Sequence, residues 1–248
     1  PVDQRPLHDI APDLVARARQ RLAPMQIGKR GQLQEWLVDW DDREPKHRHI
    51  SHLYGLFPSA QITPVSTPAL AEAAKVSLND RGDSGTGFGM AWKAGCWARL
   101  LEGERASVCL SNLVARQTCL NLFSKCFSSP QVEGAFGATA AIAEMLLQSH
   151  AGEIHLLPAL PQAWGDGQVN GLCARGGFEV DAVWAGGKPV TVTLRSRLGG
   201  PCQVRSSNRL RVMEGDRGIA AQRLSDSVVR FETKPGGEYV LTPEPAAN

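Results

Sequence analysis

The chain has 248 residues, 42% of them hydrophobic and 21% charged, the balance of a soluble globular protein able to bury one large core or two ordinary ones. Its 27 basic and 25 acidic side chains are spread along the chain and leave a formal charge of +2, so no basic stripe tracks phosphates and nucleic acid is excluded as a partner. The longest apolar stretch, Phe136 to Leu147, is too short to span a bilayer and carries Glu144 within it.

The chain starts at Pro1 with neither an initiator Met nor a signal-peptide pattern, and the expected N-terminus of the natural protein lies upstream. The first 150 residues read as helices joined by polar loops. Ala11 to Leu22 repeats Leu14, Val15, Ala18 and Leu22 at helical spacing. Thr67-Pro68 supplies a cap and a proline for the next helix, whose apolar face is Leu70, Ala73, Ala74 and Leu78. Further helices are expected from Phe88 to Leu101, from Ala106 to Phe123 and from Ala138 to Ser149. Between them, Asp80 to Gly87 and Ser128 to Gly137 read as loops, because glycine and proline interrupt regular structure.

From Ile154 the pattern changes to short alternating runs: Val169 to Ala174, Phe178 to Trp184, Val190 to Leu194, Cys202 to Arg205, Val228 to Glu232 and Tyr239 to Leu241. Gly186-Gly187, Gly199-Gly200 and Gly236-Gly237 mark turns between them, which predicts an antiparallel β-sandwich or a similar module. The boundary is expected in the proline- and glycine-bearing stretch Ala151 to Gly167. The six cysteines show no Cys-x-x-Cys spacing and read as buried free thiols, with a Cys173–Cys202 disulfide as the alternative.

Three polar clusters carry candidate chemistry. The densest runs from Asp39 to His52 and holds His47, His49 and His52 within six residues, with Arg48 among them. Trp36, Trp40 and Tyr54 flank it, and a sugar site needs that mixture: aromatic faces for the C–H side of a ring, with guanidinium, imidazole and carboxylate groups for its hydroxyls. A solvated loop is the plainer alternative, and a three-histidine metal site is a rival whose spacing matches no usual ligand pattern. The second cluster, Asn79 to Gly87, presents Asp83; it lacks the preceding strand and the Gly-Lys-Ser/Thr of a nucleotide cradle, and Asp83 as a plain helix cap is its alternative. The third, Ser129 to Gly137, places Glu133 just before a very apolar helix, where the helix dipole favours an ionised carboxylate whether or not it acts as a base.

Gln34-Glu35-Trp36-Leu37-Val38-Asp39-Trp40-Asp41-Asp42 and Lys46-His47-Arg48-His49-Ile50-Ser51-His52-Leu53-Tyr54-Gly55-Leu56-Phe57-Pro58 resemble the α-L-fucosidases of glycoside hydrolase family 95. Arg81 to Gly87, Ala91-Trp92-Lys93, Trp97 to Leu100 and Ala143 to His150 extend the resemblance in the family's order, closely over about residues 30 to 165 and loosely beyond. The resemblance implies an α+β multidomain chain: a partial (α/α)6 helical toroid over residues 1–152, followed by an antiparallel β-sandwich domain over 153–248. It also implies inverting hydrolysis of α-fucosides, with α-galactosides as further substrates, no cofactor and no metal, and a periplasmic or secreted setting. The partner is then a fucosylated glycan, together with the upstream part of the same polypeptide, which would carry the general acid. The family's base loop usually reads Gln-Ile-Asp-Gly-Asn-Phe-Gly and aligns with Gln131 to Gly137, so Glu133 takes the base position and Ala135 stands where Asn is usual. Arg48 and His49 fall on the pair that grips the sugar, and His52 and Asp83 on positions near the site. The alternative from the same ancestry is a non-catalytic carbohydrate-binding protein.

Overall fold

A computed structural model describes residues 12–40 and 46–244. The start of the expected first helix at Ala11 and the acidic run Asp41 to Glu44 lie outside the described residues. The described chain forms a helical part followed by a β part.

Five helices are described: α1 (Pro12–Gln20), α2 (Pro68–Arg81), α3 (Gly87–Arg99), α4 (Gly103–Arg116) and α5 (Val132–Leu146). Pro68 sits in the first turn of α2, where its missing N–H costs nothing, and Ala71, Ala74 and Leu78 turn inward. Helix α3 is the centre of this part: every residue except Phe88 and Trp92 is buried. A short connection folds α4 back on α3, and α5 then packs along α3 in the same direction. Gly134 lies against Gly87 and Gly137 against Ala91, while at the other end Glu144 pairs with Arg99 and the Gln148 amide donates to the Ala98 carbonyl. The core beneath them is filled by Ile50, Leu53, Leu56, Ile62, Leu78, Trp97 and Met145.

Two helices differ from expectation. Helix α4 stops at Arg116 rather than reaching Phe123, because Thr118 bonds back to the Leu113 carbonyl and the Asn121 side chain accepts the Phe123 amide. Both side chains offer the backbone an alternative to the helical ladder. Helix α5 starts at Val132, six residues before the expected Ala138, and ends at Leu146 rather than Ser149. Gly134 and Gly137 had the look of helix breakers, but they are helical contact points: a β-carbon on Gly134 would stand 2.8 Å from the Gly87 carbonyl carbon. The expected loop from Ser128 onward is instead the end of a hairpin, β1 (Ser124–Cys126) with β2 (Ser129–Gln131), leading directly into α5.

Helix α5 also runs without a break into the sheet. Strands β3 (Leu147–Gln148), β4 (Ile154–Leu156), β8 (Gly200–Arg205), β12 (Val228–Thr233) and β11 (Gln222–Ser225) form one sheet in the order β11-β12-β8-β4-β3. The second sheet has the order β10-β9-β13-β7-β6-β5, built from β5 (Gly167–Ala174), β6 (Phe178–Ala185), β7 (Lys188–Ser196), β9 (Leu210–Glu214), β10 (Arg217–Gly218) and β13 (Gly237–Pro243). Leu156, Val204 and Phe231 from the first sheet share one core with Val180, Leu194, Tyr239 and Leu241 from the second, which makes the module a sandwich. Its pairings are antiparallel except for β4 with β8.

The boundary stretch is tied to both parts. Its residue Trp164 packs against the helical core while its carbonyl accepts the Trp184 indole N–H from β6. All six cysteines are free, with Cys96, Cys109 and Cys202 buried and Cys173 exposed. Among the described residues no helix is long and apolar enough to cross a membrane.

Candidate active site

The polar clusters gather at the end of α2 and at the N-termini of α3 and α5. Segment 32–40 is pinned to α2: the Leu33 amide donates to the Ser77 hydroxyl, which returns a bond to the Leu33 carbonyl, and Arg81 on the last turn of α2 bonds the Glu35 carboxylate at 2.7 Å. His52 lies on a short 3-10 turn, Ser51–Gly55, with its Nδ1 3.7 Å from the same carboxylate. Trp36 and Trp40, 59% and 60% exposed and 6.4 Å apart, stand over this recess, which Glu35, His52 and Arg81 floor.

Arg48 opens into a different recess of about 430 Å³, walled by Lys46, His47, Gly85, Thr86, Gln117 and Phe127. Its guanidinium rests over the Phe127 ring, 5.5 Å from the centroid, at the tip of the β1–β2 hairpin. The Arg48 backbone lies on the first turn of α3, where a β-carbon at Gly89 would come within 3.1 Å of its carbonyl. His49 is exposed and lies edge-on to the His47 ring at 4.8 Å. Burial, and then Arg48 and His47, push its pKa below 6.5, while Glu35 pulls the other way. It is therefore neutral above that value, with one ring nitrogen to donate and one to accept.

Glu133 is exposed on the first turn of α5. The residues around it explain its loop. Gln131, at the N-cap of α5, accepts the Phe88 amide at the start of α3 and so joins the two helix N-termini. Gly134 permits the contact with Gly87, and the Ser124 hydroxyl donates to the Gln131 carbonyl. The result sets Glu133 and Arg48 at the same end of two neighbouring parallel helices.

Asp83 is spent on α4: its carboxylate pairs with Arg105 at 2.9 Å and approaches the Cys109 thiol, while its carbonyl accepts the Asn112 amide. The loop it sits in is held by Lys93. That side chain is fully buried, and its ammonium donates to the carbonyls of Arg81, Gly82 and Ser84 at 3.2, 2.8 and 2.8 Å. Burial lowers its pKa. Gly82 takes φ +65° at the end of α2, a left-handed conformation that lets those carbonyls converge. Among the described residues no group of three or more His, Cys, Asp or Glu is placed to hold a metal ion.

Residues 8–146 match the glycosyl hydrolase family 95 catalytic domain and residues 148–241 match the glycoside hydrolase family 95 C-terminal domain. The chain belongs to glycoside hydrolase family 95. It is similar to alpha-L-fucosidase 2 of Arabidopsis thaliana, 42% identical over 193 residues that make up 73% of this chain and 23% of that protein. It is also similar to the probable alpha-fucosidase A of Aspergillus niger, 36% identical over 64% of this chain and 23% of the relative, and to that of Aspergillus oryzae, 31% identical over 64% and 26%. The chain thus spans about a quarter of the length of these relatives. Among solved structures, a 4-O-alpha-L-rhamnosyl-beta-D-glucuronidase from Fusarium oxysporum aligns over 70% of this chain and 46% of its own with a TM-score of 0.19 and 13% identity, too weak a likeness to carry an argument.

In this family 95 chain the motif residues divide by what they touch. Arg48 lines one recess and His52 another, with His49 next to Arg48 in the chain; Glu133 stands at the head of α5, and Asp83 is taken up by Arg105. Reading the residues alone missed Glu35, Arg81, Lys93 and Phe127. Glu35 and Lys93 were visible as charged residues inside otherwise apolar or aromatic runs, but their partners come from distant segments. Phe127 carried no signal beyond the turn-forming Ser128-Ser129-Pro130 that follows it.

Proposed function

We propose that the protein to which this chain belongs is a glycoside hydrolase that cleaves α-L-fucosides, with α-galactosides as further substrates, with inversion at the anomeric carbon. Arg48 and His49 grip the sugar hydroxyls, with His52 behind them and Asp83 fixing the neighbouring loop; Glu133 activates the attacking water. The general acid lies on a part of the polypeptide outside these 248 residues. The observation that carries this reading is the common end of α3 and α5. Gln131 and Gly134 join the two N-termini so that the Arg48 wall and the Glu133 carboxylate occupy one end of one helix pair. An inverting pair needs about 6.5–9.5 Å between its carboxyl groups to admit water, so the acid must approach from a separate element.

The helical part is read as a portion of an (α/α)6 toroid, with the division between residues 1–152 and 153–248 falling in the β3–β4 turn. Exposed apolar side chains support a missing neighbour: Val132, Phe136 and Ile142 leave one face of α5 open, at 40%, 70% and 39% exposure. The upstream polypeptide is the proposed cover.

Glu133 has one methylene more than the family's aspartate, and a displacement near 1 Å costs about a hundredfold in rate. Its exposure, with no hydrogen bond to its carboxylate among the described residues, favours a second reading in which sugar binding persists and hydrolysis is lost. Assaying the full-length parent on aryl and 2-linked α-fucosides decides between them. The hydrolase reading expects turnover that falls at least about a hundredfold in Glu133→Gln, and a raised KM in Arg48→Ala. A parent that turns over neither α-fucosides nor α-galactosides defeats it; a Glu133→Gln variant as fast as the parent removes Glu133 from the base role.

A further inference from the structure

The opposite end of the same helix pair holds a second concave polar surface. Where α5 passes into β3, residues Gln148, His155 and Arg205 are direct cross-strand partners on β3, β4 and β8, so their side chains form one row on one face of the sheet. Their neighbours Leu147, Ile154, Leu156 and Val204 point into the sandwich core. The row does not face open solvent. The end of α3 at Arg99 and Leu101 and the turn from Thr63 to Ser66 overhang it and enclose a recess of about 500 Å³, within the ~300–1,000 Å³ common for small-molecule sites.

Its charges are already matched. Arg205 forms a two-pronged pair with Glu153, which also accepts the Gln203 amide at 3.0 Å. Burial alone would raise the Glu153 pKa, but those hydrogen bonds hold it below the usual carboxylate value. Arg99 forms a two-pronged pair with Glu144 at 2.5 and 2.9 Å and donates to the Ser59 carbonyl. An anion entering the recess would find no cation unspent, and a cation would meet two guanidiniums.

The remaining capacity is neutral. Burial first, and then the arginines nearby, bring the pKa values of His150 and His155 to about 4, so both imidazoles are uncharged at neutral pH. The buried His150 Nδ1 has no hydrogen-bond partner. A buried polar nitrogen without a partner is costly; it is closed off from the recess as the ring stands, so a ligand hydroxyl reaches and satisfies it once the imidazole turns. Val65, Leu101 and the ring of Pro64 add apolar surface for C–H groups.

We infer that this recess is a second saccharide-binding site, distinct from the Arg48 wall, which takes a neutral sugar unit through His150, His155 and Gln203. The inference does not depend on the catalytic reading, because it is built from other residues at the other end of the helices.

The test is a titration of the 248-residue chain with methyl α-L-fucopyranoside and methyl α-D-galactopyranoside, with glycerol and inorganic phosphate as comparison probes, read from the imidazole nitrogen signals of His150 and His155. A saturable shift of both histidines is expected with at least one glycoside, weakened at least tenfold in His155→Val or Gln203→Val and unchanged in Arg48→Ala. Valine is a good strand residue, so both variants keep the sheet, and an unaltered spectrum outside the recess verifies this. Absence of any shift up to about 100 mM, far above the ~1 mM of weak binding, overturns the proposal. So do equal shifts with glycerol, a preference for phosphate, or a shift lost in Arg48→Ala but kept in His155→Val.

Discussion

Stability should fall as pH drops from 7 to 5, because the folded chain keeps His150 and His155 neutral. Both have folded pKa values near 4 against an ordinary value of 6.5. Between those limits the unfolded chain binds more protons than the folded one, so stability rises with pH through this window and is lost on acidification. At pH 5 the linkage relation gives a loss of about 1.8 kcal/mol per histidine relative to pH 7. Both rings are only partly buried, and solvent screening brings this to about 1 kcal/mol each, or about 2 kcal/mol together. The charged groups around them are Arg99, Arg175, Arg205 and Glu153; only Glu153 titrates near this range, and its lowered pKa places its own contribution below the histidine window. Urea unfolding at pH 7, 6 and 5 measures the effect. A His150→Gln, His155→Gln double variant should show most of the dependence removed. Equal stability of the parent chain at pH 7 and pH 5, or an undiminished slope in the double variant, refutes the argument.

Gly134→Ala should destabilise by about 2 kcal/mol in denaturant unfolding, since the added carbon meets Gly87 backbone that cannot turn away, whereas Ala135→Ser one position along should be near neutral. Lys93→Met should cost about 3 kcal/mol, because three carbonyls of the loop after α2 lose their donor, and Lys93→Arg should not rescue it, as a planar fork cannot replace a compact ammonium. Glu35→Gln should lower the His49 pKa further, since it removes the carboxylate that raises it; a His49 titration by NMR that stays in place or moves up would contradict the geometry.

The helical and strand regions were legible where burial follows a simple period. Helix α2 was announced by Thr67-Pro68 and its apolar face, and β5 to β8, β12 and β13 by alternation and paired glycines. Legibility failed where a residue's local preference is overruled by a distant contact. Gly134 and Gly137 signal a loop on their own, yet they lie in α5 because α3 comes so close that no side chain fits. Strands β9 and β11 are five and four residues long and each carries one arginine, at 211 and 223, so their alternation was masked by short length and charge. In the site, Arg48 and His49 stood out as a polar knot between aromatics. The partners that orient that knot, Glu35 and Arg81, are 46 residues apart, and no spacing within a single element connects them.

The continuity of α5 with β3 gives the β part a mechanical relation to the proposed chemistry. Thirteen helical residues, about 20 Å, separate Glu133 from the sheet in a single rigid element, and no glycine lies between Gly137 and the strand to act as a hinge. The far end of that element is clamped twice, by the paired Arg99 and Glu144 and by the Gln148 amide, which donates both to Ala98 on α3 and to Glu144 on α5 itself. The near end is held by packing against Gly87 and Ser124, by the Gln131 contact with Phe88 and by the β1–β2 hairpin that leads into it. Fixing the remote end of a helix is an economical way to place a carboxylate at its exposed start without crowding the space that water and sugar must enter. On this argument the β-sandwich sets the axial position of Glu133, while α3, through its glycines, sets how closely Glu133 approaches the wall that carries Arg48.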